Sequence, residues 1–176
     1  RGSRIEMEAF DKYYKTGFPK TKKLRFDAFK DENLRVAALD AGDVDIIEYL
    51  PWQAMDSVGK NDRLKMDVVN GPFMYVVFNF SKGPFQNPKL RQAVGYAIKR
   101  EDVIAAAFYG RGNVLGGIPL QESSPFYDAK YQNRWSYDPG KAKALMKEAG
   151  HANGFSATLL STAQYGMHKN TAEVVQ

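Results

Sequence analysis

The residue types in this sequence that could carry chemistry are few. Asp43 and Asp45 stand two apart, His151 and His168 are the two histidines, and a mixed aromatic, apolar and amide set is made of Tyr49, Leu50, Trp52, Gln53, Phe73, Tyr75 and Asn79. Paired carboxylates can act as general acid and base, but next to Gly42, beside a short strand, turn capping and solvation account for these two. Zinc needs more ligands at workable spacing than two distant histidines supply, and both histidines are expected at the surface. The chain has no cysteine, which excludes a thiolate nucleophile, a thiolate metal site and a disulfide framework. No nucleophile elbow, phosphate loop or dinucleotide fingerprint is present. No metal and no cofactor are expected.

Residues 49–53 (Tyr-Leu-Pro-Trp-Gln) follow a short apolar stretch in the order expected of a rim loop, and ligands in open α/β sheets sit beyond the carboxyl ends of strands. Trp52 offers a flat apolar face with one donor for stacking on a ligand, the alternative being packing between helices. Phe73 and Tyr75 share one side of an extended run and Met74 the other. One of those faces serves a binding surface, or both are strand packing. Asn79 either lines the edge of the site or satisfies backbone groups where the strand ends. Arg91 is expected to pair with a nearby carboxylate or carbonyl.

The elements that must position these residues follow from spacing. Ile5, Met7 and Ala9 alternate with Arg4, Glu6 and Glu8, a half-buried strand, and Leu24, Phe26 and Ala28 make a second. Asp31 caps a helix carrying Leu34, Ala37, Ala38 and Ala41, which Gly42 ends. Strands are predicted at 44–47, 64–69, 73–80 and 155–160, with a short helix at 53–58 and a turn at Asn70, Gly71 and Pro72. Asn87 followed by Pro88 opens a helix whose Leu90, Ala93, Val94, Ala97 and Ile98 form one apolar stripe. A helix with Val103, Ile104, Ala107 and Phe108 stops at Gly110, and residues 111–131 form a long Gly, Pro and Ser rich loop. Asp138 and Pro139 repeat the capping device for a helix that Gly150 closes. Residues 171–176 read as the start of another helix. This is α/β material, with mixed sheets and flanking helices.

Composition narrows the class. Of 176 residues, 44% are hydrophobic and 13% aromatic, ordinary for a folded domain and outside the disordered range. Net charge is +5 and the pI is near 9.3. Lys20, Lys22, Lys23, Arg25 and Lys30 cluster, but Glu6, Glu8, Asp27, Asp31 and Glu32 are interspersed, which reads as a solvated mixed-charge face. No run approaches the ~20 apolar residues of a membrane span, and residues 1–10 lack a signal-peptide core.

Three blocks, in order, resemble family 5 of the extracellular solute-binding proteins, the dipeptide, oligopeptide and nickel receptors of bacterial ABC importers. In residues 26–47 the matching positions are Arg35, Ala38, Leu39, Gly42, Asp43, Val44 and Asp45. The second block is NFSKGPFQNPKLRQAVGYAIKR, residues 79–100. In residues 137–155 they are Tyr137, Asp138, Pro139, Lys141, Ala142, Leu145, Glu148, Ala149 and Gly150. Gly83, the Asn87-Pro88 pair and Lys99 depart from the family pattern, the last two changing helix-end chemistry while keeping a cap.

The resemblance implies a two-lobed periplasmic-binding-protein fold, with residues 1–75 a portion of the first lobe and 76–176 the opening of the second. Residues 73–80 would be the crossover, and the chain an internal piece truncated at both ends. It implies a monomeric receptor outside the cytoplasmic membrane, peripheral to it or lipid-anchored in full length, that captures a peptide or similar small solute and delivers it to permease subunits. It implies neither an enzyme nor a nucleic-acid partner. The competing readings are a small α/β enzyme using carboxylate and Tyr chemistry, and a basic nucleic-acid-binding module.

Overall fold

The computed structural model describes residues 3–69, 71, 73–120, 122–132 and 134–176. Asn70 and Pro72 of the expected turn lie outside the described residues. The chain packs as two compact units, Arg1–Ala54 and Met55–Gln176.

The first unit begins with an antiparallel hairpin of β1 (Arg4–Glu8) and β2 (Lys23–Asp27). Its register pairs Ile5 with Phe26 and Met7 with Leu24 on one face, and Arg4 with Asp27, Glu6 with Arg25 and Glu8 with Lys23 on the other. Opposite charges therefore face one another across the ladder, the cross-strand arrangement that stabilises a sheet. Asp27 accepts from Arg4 Nε at 2.7 Å and lies 2.8 Å from Arg25 Nε, while Lys23 sits 3.1 Å from Glu8. The alternation is as the sequence reads, but β1 is exposed on both faces rather than half-buried, because no element among the described residues covers Ile5 and Met7.

The helix α1 (Glu32–Ala41) follows. Asp31 Oδ1 accepts from Asn33 N and Leu34 N at 2.8 and 3.0 Å, satisfying two of the orphan donors of the first turn. Gly42, at φ 79°, closes the helix in a Schellman turn, with Asp43 N donating to Ala38 O and Gly42 N to Leu39 O. The expected stripe is rotated by about one residue: Ala38 is buried, Arg35, Val36 and Leu39 are half-buried, and Leu34 is exposed.

In the second unit, α2 (Met55–Gly59) is one turn long and continues from a 3-10 turn at Trp52–Ala54. The helix α3 (Pro88–Ala97) packs on α5 (Pro139–Glu148), and α4 (Arg100–Ala107) on α6 (Gly166–Val175). Asn87 and Asp138 cap α3 and α5 as predicted, accepting from Lys89 N at 2.9 Å and Lys141 N at 2.8 Å. Leu90, Ala93 and Ala142 are the buried residues of the first helix pair, and Ala107 and Thr171 of the second. The last helix starts at Gly166, ahead of the expected 171, because Thr171 belongs to its buried face rather than its first turn.

The strands expected at 44–47, 64–69, 73–80 and 155–160 carry no strand pairing. A strand is defined by its ladder, and the described residues offer these stretches no partner. Period-2 exposure survives in one of them, with Phe73, Tyr75 and Val77 exposed and Met74, Val76 and Phe78 half-buried.

Two outcomes follow. Leu90 is 0% exposed at the α3 and α5 contact, so Leu90→Ala should lower unfolding free energy by about 3 kcal/mol in urea titration. The hydrogen bond from Arg4, aided by the charges of Arg25 and Arg4, holds the Asp27 carboxyl below the ordinary aspartate range. Its stabilisation is therefore complete above the unfolded value of ~3.9 and is lost as pH falls through the lower folded value. Carboxyl-detected NMR should place the Asp27 midpoint below that unfolded value, and Arg4→Met should move it up.

Candidate functional site

In the first unit, an irregular segment runs from the end of α1 into the loop that holds Tyr49, Leu50, Trp52 and Gln53. Two arginines secure it. Arg25 Nη2 donates to the Asp43 carbonyl at 2.9 Å, and Arg35 Nη2 donates to the Tyr49 carbonyl at 2.6 Å. Tyr49 itself is left-handed, with φ 64°. That conformation costs a non-glycine residue roughly 1–2 kcal/mol, and persists where surroundings over-determine it. On its C-terminal side, buried Pro51 accepts at its carbonyl from Ala54 N at 2.9 Å, which starts the 3-10 turn carrying Trp52. The loop thus presents an exposed Tyr49 ring, a half-buried Leu50, a half-buried Trp52 and an exposed Gln53 from a pinned backbone.

In the second unit, the Phe73 and Tyr75 rings stand on the same exposed face of the extended run, centroids 5.4 Å apart. Asn79 ends the run: its Oδ1 accepts from Ser81 N at 3.0 Å, the role of a turn-forming amide. Gln86 Nε2 reaches back to the Ser81 carbonyl at 3.1 Å. Arg91, one turn into α3, donates to the carbonyls of Phe85 and Gln86 at 2.6 and 3.1 Å, which locks the Gly-Pro-Phe turn onto the helix start. The carbonyl pairing expected of Arg91 is the one observed.

Sequence reasoning missed the aromatic chain behind this turn. Phe78 and Phe85 are 4.8 Å apart, Phe85 and Phe155 5.5 Å at near right angles, and Phe155 and His151 5.6 Å. His151 and His168 are half-buried rather than exposed, each against a ring, Phe155 and Tyr165 respectively. The signal available was aromatic residues placed beside Gly-bearing turns (Phe85 after Gly83, Phe155 after Gly154). Among the described residues no cluster of three or more His, Cys, Asp or Glu is arranged to hold a metal ion, and no helix is long and apolar enough to cross a membrane.

Away from these residues, Arg100 gathers three carbonyls, Trp135 at 2.6 Å and Gly95 and Ile98 at 3.3 Å. Burial draws its guanidinium down from the ordinary arginine value. Trp135 lies edge-on to Tyr96 at 5.4 Å, and a Cβ at Gly95 would come within 3.2 Å of its ring. A small cavity of about 110 Å³ opens here, lined by Arg100, Glu101, Val114, Gly116, Trp135, Ser136 and Tyr137. It includes none of the candidate binding residues.

The candidate side chains of each unit are rings, amides and donors held by contacts to backbone. The Arg35 contact is testable apart from any ligand. Arg35→Met should raise amide hydrogen exchange across 49–53 about tenfold and shift the Trp52 resonance of fluorotryptophan-labelled protein, with Arg35→Lys intermediate. Unchanged exchange in both variants would remove Arg35 from this role.

Relatives share the pattern along the chain. The glutathione-binding protein GsiB of Pectobacterium atrosepticum is 35% identical over 175 residues, covering 98% of this chain and 33% of that protein. The solved structure of the PBP AgaA from A. tumefaciens R10 in complex with agropinic acid superposes with a TM-score of 0.87 at 38% identity, covering 100% of this chain and 36% of that one. The oligopeptide-binding protein AppA of Bacillus subtilis, solved with a nonapeptide, matches with a TM-score of 0.72 at 25% identity, covering 100% and 37%. The chain therefore spans about a third of the length of these relatives, as an α/β segment of the two-lobed periplasmic-binding-protein fold. The family model "Bacterial extracellular solute-binding proteins, family 5 Middle" matches residues 1–176, and the chain belongs to that family.

Proposed function

We propose that this chain is part of the substrate-binding component of an ABC importer, which captures a peptide or similar small solute by closure of two lobes and delivers it to membrane permease subunits. The observation that carries this reading is the family match along the whole chain. Relatives described as glutathione-binding, opine-bound and oligopeptide-binding support a solute built from amino acids. Lobe closure needs only a ligand with higher affinity for the closed state than for the open one. The protein works as a monomer outside the cytoplasmic membrane and is not an enzyme.

The lobe assignment proposed is residues 1–75 in the first and 76–176 in the second, with 73–80 as the passage between them. Tyr49, Leu50, Trp52, Gln53, Phe73, Tyr75 and Asn79 are the proposed solute-binding residues. The pinned loop at 49–53 supports the first four, because a fixed backbone lowers the ordering cost of binding. The ring pair of Phe73 and Tyr75 supports an aromatic wall.

Isothermal titration of the full-length protein with glutathione, short peptides and agropinic acid tests the reading. One of these classes should bind with a Kd of about 1 μM or tighter, near −8 kcal/mol. Trp52→Ala should weaken that binding about tenfold, roughly 1.4 kcal/mol. Turnover of a substrate, with no tight binding of any solute, would overturn it.

A further inference from the structure

We propose that the loop closing the first hairpin, residues 10–22, docks onto the anionic face of a phospholipid bilayer. The strands beneath it neutralise their own charge, through Arg4 and Arg25 on Asp27 and Lys23 beside Glu8. The loop does not. It holds Lys12, Lys15, Lys20 and Lys22 against Asp11 alone. Among the described residues every ion pair lies elsewhere, and none engages these four ammonium groups.

The same loop displays rings. Tyr14 is 79% exposed, Phe10 64%, Phe18 53% and Tyr13 42%. Lys15 Nζ lies 5.8 Å from the Tyr14 centroid and Lys20 Nζ 5.2 Å from that of Phe18, so cation and ring are presented together. The backbone is closed rather than slack: Ala9 N donates to Lys22 O at 2.8 Å, Tyr13 N to Phe10 O at 3.0 Å and Phe18 N to Lys15 O at 3.1 Å.

Among the described residues every position from 10 to 22 is exposed, which makes the loop a surface rather than a cleft. A flat partner fits it. At a bilayer surface, aromatic rings settle at the level of the headgroups while lysine ammoniums meet their phosphates, and each lysine adds to the attraction of an anionic leaflet. None of these residues belongs to the proposed solute-binding set.

The test is sedimentation of the full-length protein with vesicles of phosphatidylcholine alone and of equal parts phosphatidylcholine and phosphatidylglycerol, at low and physiological salt. Partition onto the anionic vesicles should exceed that onto the neutral ones by about tenfold and fall as salt rises. Joint substitution of Lys12→Glu, Lys15→Glu, Lys20→Glu and Lys22→Glu should abolish the difference. Tyr14→Ala with Phe18→Ala should weaken binding at every salt without changing the salt dependence. A thermal melt checks folding, and Lys15→Glu alone should give a partial loss if the joint variant fails to fold. Equal partition onto both vesicles, or lysine variants that sediment like the parent, would overturn the proposal. Lysine-dependent binding to solubilised permease without vesicle binding would overturn the bilayer in favour of an acidic protein surface. Failure of the wild-type protein to bind any solute would not alter this readout, so the two proposals fail separately.

Discussion

Guanidinium groups closing onto backbone carbonyls hold the irregular parts of this chain in place. Arg25 takes Asp43, Arg35 takes Tyr49, Arg91 takes Phe85 and Gln86, and Arg100 takes Gly95, Ile98 and Trp135. Outside the helices and the hairpin, the described residues include long stretches with no ladder for their carbonyl oxygens, and where water is excluded, as around Phe85 and Trp135, such groups demand donors. A charged donor makes a shorter and stronger bond than a neutral one, and the fixed fork of arginine can serve several oxygens at once. Arg35, Arg91 and Arg100 are half-buried, so part of the basic excess is spent on loop carbonyls rather than displayed.

These clasps also explain how the two halves of the proposed solute-binding set are shaped. Arg35 and Pro51 bracket Trp52 from either side, so the loop keeps a left-handed tyrosine that isolated chain would relax. Arg91 and Asn79 bracket the Gly-Pro-Phe turn, so the extended run carrying Phe73 and Tyr75 ends at a defined place. In each case a side chain from a capped helix or a turn fixes a neighbouring segment that has no regular structure of its own.

What the sequence made legible was local. Asp31, Asn87 and Asp138 announced their helices because capping is decided within four residues, and Gly42 and Gly150 marked helix ends because their left-handed φ of 79° suits glycine. Alternation in residues 4–8 and 23–27 fixed which side chains share a face, and opposite charges then matched across the ladder. The strands expected at 44–47 and 64–69 have no ladder among the described residues, because a strand exists only with a partner, which alternation alone cannot supply. The rotation of α1 was hidden for a related reason: Arg35 turns inward to reach a carbonyl fourteen residues on. Of the site, the residue types were readable but their supports were not. Arg35, Phe85 and Phe155 act through contacts distant in sequence, and nothing in their immediate neighbours marks them.

The alternating stretch FMYVVFNF, residues 73–80, has a consequence for handling the chain. It contains no charge, no proline and no glycine, it enters no strand pairing among the described residues, and it carries apolar side chains on both faces. Stretches of that composition recruit identical copies into stacked sheets. Lys82 is the nearest charge on its C-terminal side, and Pro72 and then Asp67 are the gatekeepers on its N-terminal side. Produced by itself, the segment would therefore aggregate through these eight residues unless a neighbouring strand is supplied, and a lysine at Val77, on the exposed face, is the change best placed to keep it in solution.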